Sequence, residues 1–481
     1  MSKLVVLGID ALDPDLIERY KADLPNISRI MEAGAFRRLE STKPPDSIPA
    51  WVTIFTGMHP WEHGIVDTMD YLDFKGGSDL DTSALVGKTF WDRASDAGKR
   101  VCIINPLLAY PVWKLNGVMV NGPVFITGEV QAEPPDILTA YNIPELGGMT
   151  DFPRKSELPG FIERTGLVTR DLARFGLELL DIEDWDLFFI SFLTLDRVMH
   201  FLWRYMDTAD PTHPGRNEFE NAIKDFFVLF DGVIGDFMER LAPDQALLIV
   251  SDHGHGMRPP NAVFVNEVLR GEGYLACRQG GAGAVSPVAL LEKTKNAFLT
   301  VMQKLDLEDW VYKLAHMIPR EKRKSLKSSS YATEKDASLA WVSDLGGGTS
   351  FSGIEMNRKL IEASGEDYEA LRDRLISLLL GLKDRRGEQV ALYARRREEV
   401  FSGTSVDKYP DIVFELKDTY GVDRTLYCGT LGTTTTHKKV SGGHAQFGVF
   451  MLYGSDRSVP AGDLHISGVF PTIIEILGLG K

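Results

Sequence analysis

Cysteine is scarce in this chain. Cys102, Cys277 and Cys428 are the only three in 481 residues, and no two of them stand in CxxC spacing. That excludes a disulfide framework, and the odd count fits a reducing compartment. Long apolar runs are missing too, so no uncharged stretch is long enough to span a bilayer. The run Leu4–Ile9 is too short for a signal peptide, ends in Asp10, and is followed by no small-residue cleavage site. It reads as a first buried strand, and the protein reads as cytoplasmic with no membrane partner. Positive charge is in deficit: 53 basic against 68 acidic residues leave a net charge of −15. This argues against duplex nucleic acid or an anionic membrane as a non-specific partner. An anionic small substrate is not excluded, because bound cations reverse the field locally.

What is present is the composition of an ordinary globular enzyme, 44% hydrophobic and 25% charged, and the length fits one large core with an insertion. Strand candidates are Leu4–Ile9, Arg100–Ile104, Gly117–Val120, Leu187–Phe192, Ala246–Val250, Ile412–Leu416 and Val449–Leu452. Most are near-continuous apolar runs, as expected of strands covered on both faces. Helical patterns alternate with them at Pro14–Ala33, Ile48–Thr56, Asp196–Met206, Glu218–Leu241, Tyr368–Leu382 and Phe470–Leu477. The alternation predicts a doubly wound, mostly parallel α/β sheet with helices on both faces. Two stretches break it. Residues 122–166, rich in Pro, Gly and Glu, read as a loop excursion. Residues 266–338, with a Gly-rich start and a Lys-rich helical continuation, read as an inserted cap between core segments 1–265 and 339–481.

Two segments carry chemistry. Ala246–Val250 runs straight into Ser251-Asp252-His253-Gly254-His255-Gly256, a carboxylate and two imidazoles where a buried strand ends. Ligands gather at such carboxyl ends in open α/β sheets, and Asp with His is half of a metal site. A polar turn with satisfied histidines is the alternative. The second segment, Pro44 to Ile65, has the pattern PxxSxPxW…TG…PxxHGI. Ser47 precedes a helical run with Pro49 in its first turn, which is an N-cap arrangement. The same position lies in a field that favours anions, where a neighbouring metal makes a serine nucleophilic.

The second segment resembles the nucleophile region of the alkaline phosphatase superfamily, in particular its type I phosphodiesterase/nucleotide pyrophosphatase branch and the predicted phosphohydrolase and phosphomutase relatives. There a Thr or Ser precedes x-Pro, and Thr-Gly-x-x-Pro-x-x-His-Gly follows at this spacing. The tail Phe470–Leu479 resembles the branch's closing helix, so the likeness covers most of the chain except the cap. It implies an alkaline-phosphatase-like fold and two divalent ions, Zn2+ for preference and Mn2+ or iron as alternatives. Asp196, His200 and His444 are implied to hold one ion. Asp10, Asp252 and His253 are implied to hold the other, with Ser47 as an added ligand. The implied reaction is hydrolysis of a small phosphate ester through phosphoserine on Ser47. His255 is left a supporting role, and His63 a brace behind the nucleophile helix. Thr68 stands where nucleotide pyrophosphatases carry a phosphate-binding Asn. Trp51 stands where sulfatases carry Arg, which argues against a sulfatase. A phosphomutase or phosphotransferase, or a non-catalytic metal-binding protein, are the competing readings. Tyr110, Trp113 and Trp51 are either core residues or a stacking surface for substrate.

Overall fold

The computed structural model describes residues 3–66, 85–124, 128–147, 152–277, 333–346, 348–434, 436–455, 459 and 461–480, with short helical pieces between 290 and 302. Thr68 and most of the expected cap lie outside the described residues. The strands are β1 (Lys3–Ile9), β2 (Ala35–Glu40), β3 (Val101–Ile104), β4 (Gly117–Asn121), β5 (Gln131–Glu133), β6 (Leu187–Phe192), β7 (Gln245–Val250), β8 (Gly254–Met257), β9 (Asn261–Phe264), β10 (Ala340–Val342), β11 (Phe351–Met356), β12 (Ala391–Arg396), β13 (Ile412–Leu416), β14 (Tyr420–Asp423), β15 (Leu431–Thr433), β16 (Gly442–Ala445), β17 (Phe447–Tyr453) and β18 (Leu464–His465). Nine of them form the central sheet, in the order β18-β2-β17-β7-β1-β6-β3-β4-β5. The run β7-β1-β6-β3-β4 is parallel throughout, while β17 enters antiparallel beside β7. This is the mostly parallel α/β sheet that the strand–helix alternation predicts.

Both faces of the sheet are covered, which explains the near-continuous apolar strands. Val5, Leu7 and Ile9 of β1, with Phe188, Ile190 and Phe192 of β6, join one core. Leu4 and Val6, with Leu187 and Phe189, join the other. The helices Leu158–Leu180, Thr194–Met206 and Ala222–Glu239 contribute to the first core, and Ser47–Thr56, Phe90–Asp96 and Val469–Ile476 to the second. Trp51 anchors the second core. It is fully buried, stacked on Phe55 with ring centroids 5.6 Å apart, and its Nε1 donates to Asp10 Oδ2 at 3.2 Å. Trp51→Ala is expected to cost about 3–5 kcal/mol of stability, read from a denaturant midpoint. Trp51→Phe should recover most of that loss while leaving the Asp10 carboxylate one donor short.

Several sequence expectations shift. The helix expected over Pro14–Ala33 divides into Pro14–Tyr20, a 3-10 turn at Lys21–Asp23, and Pro25–Ala33. Pro25 lacks an amide hydrogen and disfavours helical geometry at Leu24, so it starts a helix rather than continuing one. The expected loop at 122–166 contains β5, a turn of helix at Ile137–Ala140, and the first turns of Leu158–Leu180. The strand Ile412–Leu416 forms, but in a second, antiparallel sheet of order β10-β11-β13-β12 with its own apolar core. The ends of the undescribed part of 266–338 meet where Cys277 bridges Thr333.

Candidate functional site

The strands β7, β1 and β6 lie side by side, and their carboxyl ends deliver three carboxylates to one place. Asp10 follows β1, with its amide donating to Phe192 O at 2.9 Å. Asp196 lies in the first turn of the Thr194–Met206 helix after β6, and Asp252 follows β7. His200 stands one turn after Asp196 on the same helix face, with its Nε2 3.2 Å from Asp196 Oδ1. The residue after Asp10, Ala11, takes a left-handed φ of 62°. This is backbone strain of the kind held at functional sites, and it lets Ala11 N donate to Asp252 Oδ1 at 3.3 Å. Gly254 permits the tight path after His253, since a Cβ there would stand 2.1 Å from Phe447 O.

His444 arrives from the far end of the chain. The antiparallel pair β8–β16 places it directly opposite His255, and its Nε2 is 3.5 Å from Asp196 Oδ1 and 3.1 Å from His200 Nε2. On the other side, His253 Nε2 is 3.3 Å from Asp252 Oδ2, 3.6 Å from Asp10 Oδ1 and 2.9 Å from Ser47 Oγ. The rings of His253 and His444 stack with centroids 3.9 Å apart and join the two groups. All seven side chains singled out from the sequence therefore converge. Donor atoms of six of them, joined by His255, fall into groups within 4.8 Å of one another: Asp10–Asp252–His253, Asp196–His200–His255 and Asp196–His253–His444.

Ser47 begins its helix rather than capping it. The cap is Asp46, whose carboxylate accepts from Ile48 N at 3.0 Å, so the capping role expected of Ser47 falls one residue earlier. That frees the Ser47 hydroxyl, half-buried, to face His253. Behind the helix, His63 Nε2 meets Thr53 Oγ1 at 3.1 Å and His63 Nδ1 accepts from Ile65 N at 3.2 Å, a brace as expected. Tyr110, Trp113 and Trp51 pack in or against the second core.

The donor set fits cations. Asp10 Oδ1, Asp196 Oδ1 and Asp252 Oδ2 are buried without a hydrogen-bond partner, and a buried polar group left so costs about 1–3 kcal/mol or more. Ligand atoms around a tetrahedral ion bonded at 2.0–2.2 Å stand about 3.3 Å apart, close to the separations here. Three histidines leave Nε2 for the site by tying Nδ1 to a carbonyl: His200 to Gly442 O at 2.9 Å, His253 to Gly254 O at 2.9 Å and His444 to Pro45 O at 3.0 Å. Such ties fix the tautomer of a metal-binding imidazole.

The charges are held apart from their ordinary states. Burial, then the neighbouring Asp252, pushes Asp10 well up. Burial pushes Asp252 up to about 7. Burial acts downward on His444, but Asp196 overcomes it and raises the group to about 9. Asp196 itself is pushed up by burial but held well below the usual carboxylate range by His200, His255 and His444 together. Protons would therefore compete with any metal for the same atoms. The raised groups, Asp252 and His444, favour the protonated folded state, so their stabilisation is lost as pH rises through about 7 and about 9. The chelator-treated protein is expected to lose thermal stability from pH 6.5 to 9, and divalent metal to restore it increasingly toward pH 9, with protons released on binding. Melting curves with and without metal check this; a metal-independent pH profile contradicts it.

Sequence reasoning gave His255 a supporting role and did not single it out; its Nδ1 is 3.4 Å from Asp196 Oδ1. The signal was available: in an extended chain, His253 and His255 point to the same side. It also missed the Trp51 donor to Asp10, since nothing in the motif tells a core tryptophan from one that hydrogen-bonds a ligand.

No curated protein sequence is significantly similar. Among solved structures, the fold resembles the phosphonoacetate hydrolase of Sinorhizobium meliloti 1021 in complex with phosphonoacetate (15% identity, TM-score 0.58, covering 99% of this chain and 96% of that one). It also resembles an inactive form of murine ectonucleotide pyrophosphatase/phosphodiesterase 5 in complex with AMP (11% identity, TM-score 0.52, covering 99% and 95%). The family model described as type I phosphodiesterase / nucleotide pyrophosphatase matches residues 4–438. The chain belongs to that family of phosphoric ester hydrolases.

Proposed function

We propose that this protein hydrolyses small phosphate esters through a phosphoserine on Ser47, in a site that holds two divalent ions, Zn2+ for preference. The observation that carries the reading is the Ser47 hydroxyl, 2.9 Å from His253 Nε2 at the edge of the Asp10–Asp252–His253 group. Asp10, Asp252, His253 and Ser47 would hold one ion, and Asp196, His200 and His444 the other. Bound ions supply Lewis acidity, lowering the serine pKa and neutralising charge on both sides of the phosphorus. The chain's own part is positional. The Asp46 cap and the Asp252–His253 turn hold the Ser47 hydroxyl facing His253 Nε2, and its proton would pass to solvent as it ionises. Ile48 N–H is taken by Asp46 and Pro49 has none, so the Ser47 amide is the first-turn donor left for a phosphoryl oxygen. The leaving alkoxide would depart toward Asp196, His200 and His444, and water would then release phosphate from Ser47.

A cavity of about 870 Å3 opens over the site. Its walls include Arg197 and Arg258, with Phe351 and Glu415 from the second sheet. We propose that the inserted unit beginning near residue 266 and this sheet together select the ester. Described helices include none long and apolar enough to cross a membrane, and a cytoplasmic setting is proposed on the scarcity of cysteine in the sequence. The test is turnover of mono- and bis-p-nitrophenyl phosphate by Zn2+- and Mn2+-loaded protein, with metal content measured on the same samples. Release of p-nitrophenol with free phosphate from the monoester, or with p-nitrophenyl phosphate from the diester, supports hydrolysis; transfer to an acceptor alcohol supports a phosphotransferase, and no turnover of any phosphate ester counts against both.

A further inference from the structure

The ligand set above leaves one imidazole of the site unused. His255 is buried, and neither of its ring nitrogens has a hydrogen-bond partner. In this it differs from His200, His253 and His444, whose Nδ1 atoms are each tied to a carbonyl. The ring is nonetheless held. Its main-chain amide donates to Asp13 Oδ2 at 3.1 Å, and Trp203 lies over it with ring centroids 5.8 Å apart. Gly442 makes room for it, since a Cβ there would stand 2.5 Å from His255 Nε2. The β8–β16 register sets it across from His444, so both side chains lie on one face of the ribbon. Its Nδ1 is 3.4 Å from Asp196 Oδ1, against 3.2 Å for His200 Nε2 and 3.5 Å for His444 Nε2. Three imidazole nitrogens thus ring one unpartnered carboxylate oxygen at the spacing of ligands that share an ion.

We propose that His255, through Nδ1, is a fourth protein ligand of the ion held by Asp196, His200 and His444. The inference rests on the two-ion reading. It gives this ion four protein ligands, as many as Ser47 completes for the other, so that a leaving oxygen would enter as a fifth.

The test is Zn2+ titration against a chromogenic chelator, with wild-type protein, His255→Gln and His255→Phe. Glutamine still donates a hydrogen bond to Asp196 but is a poor zinc ligand. The wild type is expected to take up two ions. Both variants should retain one ion at wild-type affinity and bind the other about 10–100-fold more weakly. If His255→Gln holds both ions as tightly as the wild type, His255 merely positions Asp196 and the proposal falls. Should the variants fail to fold, 15N-histidine-labelled wild-type protein decides: of its ten imidazoles, those of His200, His253, His255 and His444 should shift on Zn2+ loading, and a response confined to three refutes the inference. A wild type that binds fewer than two ions overturns the two-ion reading itself.

Discussion

Ser47→Ala is expected to lower kcat by at least about 10^3-fold, roughly 4 kcal/mol of transition-state stabilisation, while leaving the fold and most metal binding intact. The substitution removes a half-buried hydroxyl whose contact is His253 Nε2. It does not disturb the helix start, because the capping carboxylate belongs to Asp46. Asp10, Asp252 and His253 remain as three donors for one ion, and Asp196, His200 and His444 are untouched. A structural role for Ser47 would show as a shifted melting temperature with activity retained. Catalysis by Ser47 shows as the reverse, and acid quenching of the wild type with a 32P-labelled ester should trap label on the chain that the variant never acquires. Ser47→Thr keeps the nucleophilic oxygen and should recover part of the rate. Full turnover by Ser47→Ala would mean that water attacks phosphorus directly and that the serine is only a neighbour.

The central architecture was legible because its strands are buried on both faces. A run such as Leu187–Phe192 admits few other readings, and strands alternating with helices select a parallel sheet. β2 escaped notice because Arg37 and Arg38 interrupt its apolar pattern; it pairs with β17 and β18 away from the centre of the sheet. The second sheet was hidden for a related reason. Its strands are antiparallel, and β12 is buried only at Ala391 and Ala394, across an irregular register, so it shows no clean apolar period. The convergence of Asp10, Asp196 and Asp252 follows from strand order, which sequence spacing does not contain. The motif around Ser47 supplied it by resemblance. What the motif could not supply was the tautomer of each imidazole. Those are set by the carbonyls of Pro45, Gly254 and Gly442, main-chain atoms with no signature in the residue types.

Asp196 is the residue on which the second group depends most, and Asp196→Asn should show it. Its Oδ1 is the shared neighbour of His200, His255 and His444, and its charge is what lifts His444 to about 9 against the pull of burial. An amide of the same shape keeps the packing but removes that charge, so the His444 imidazole should titrate well below 9, readable by NMR in metal-free protein. Neutral Asn is a far weaker partner for a hard or borderline cation than carboxylate. The variant is therefore expected to hold one ion where the wild type holds two, by elemental analysis after exhaustive dialysis. Turnover should fall by about 10^3-fold or more, because charge on the departing oxygen goes unmatched. The loss should be smaller for an ester with an acidic leaving group such as p-nitrophenol than for an alkyl ester, since a good leaving group needs less help. Equal losses on both esters would place the Asp196 group away from the leaving oxygen and invert the assignment of the two groups.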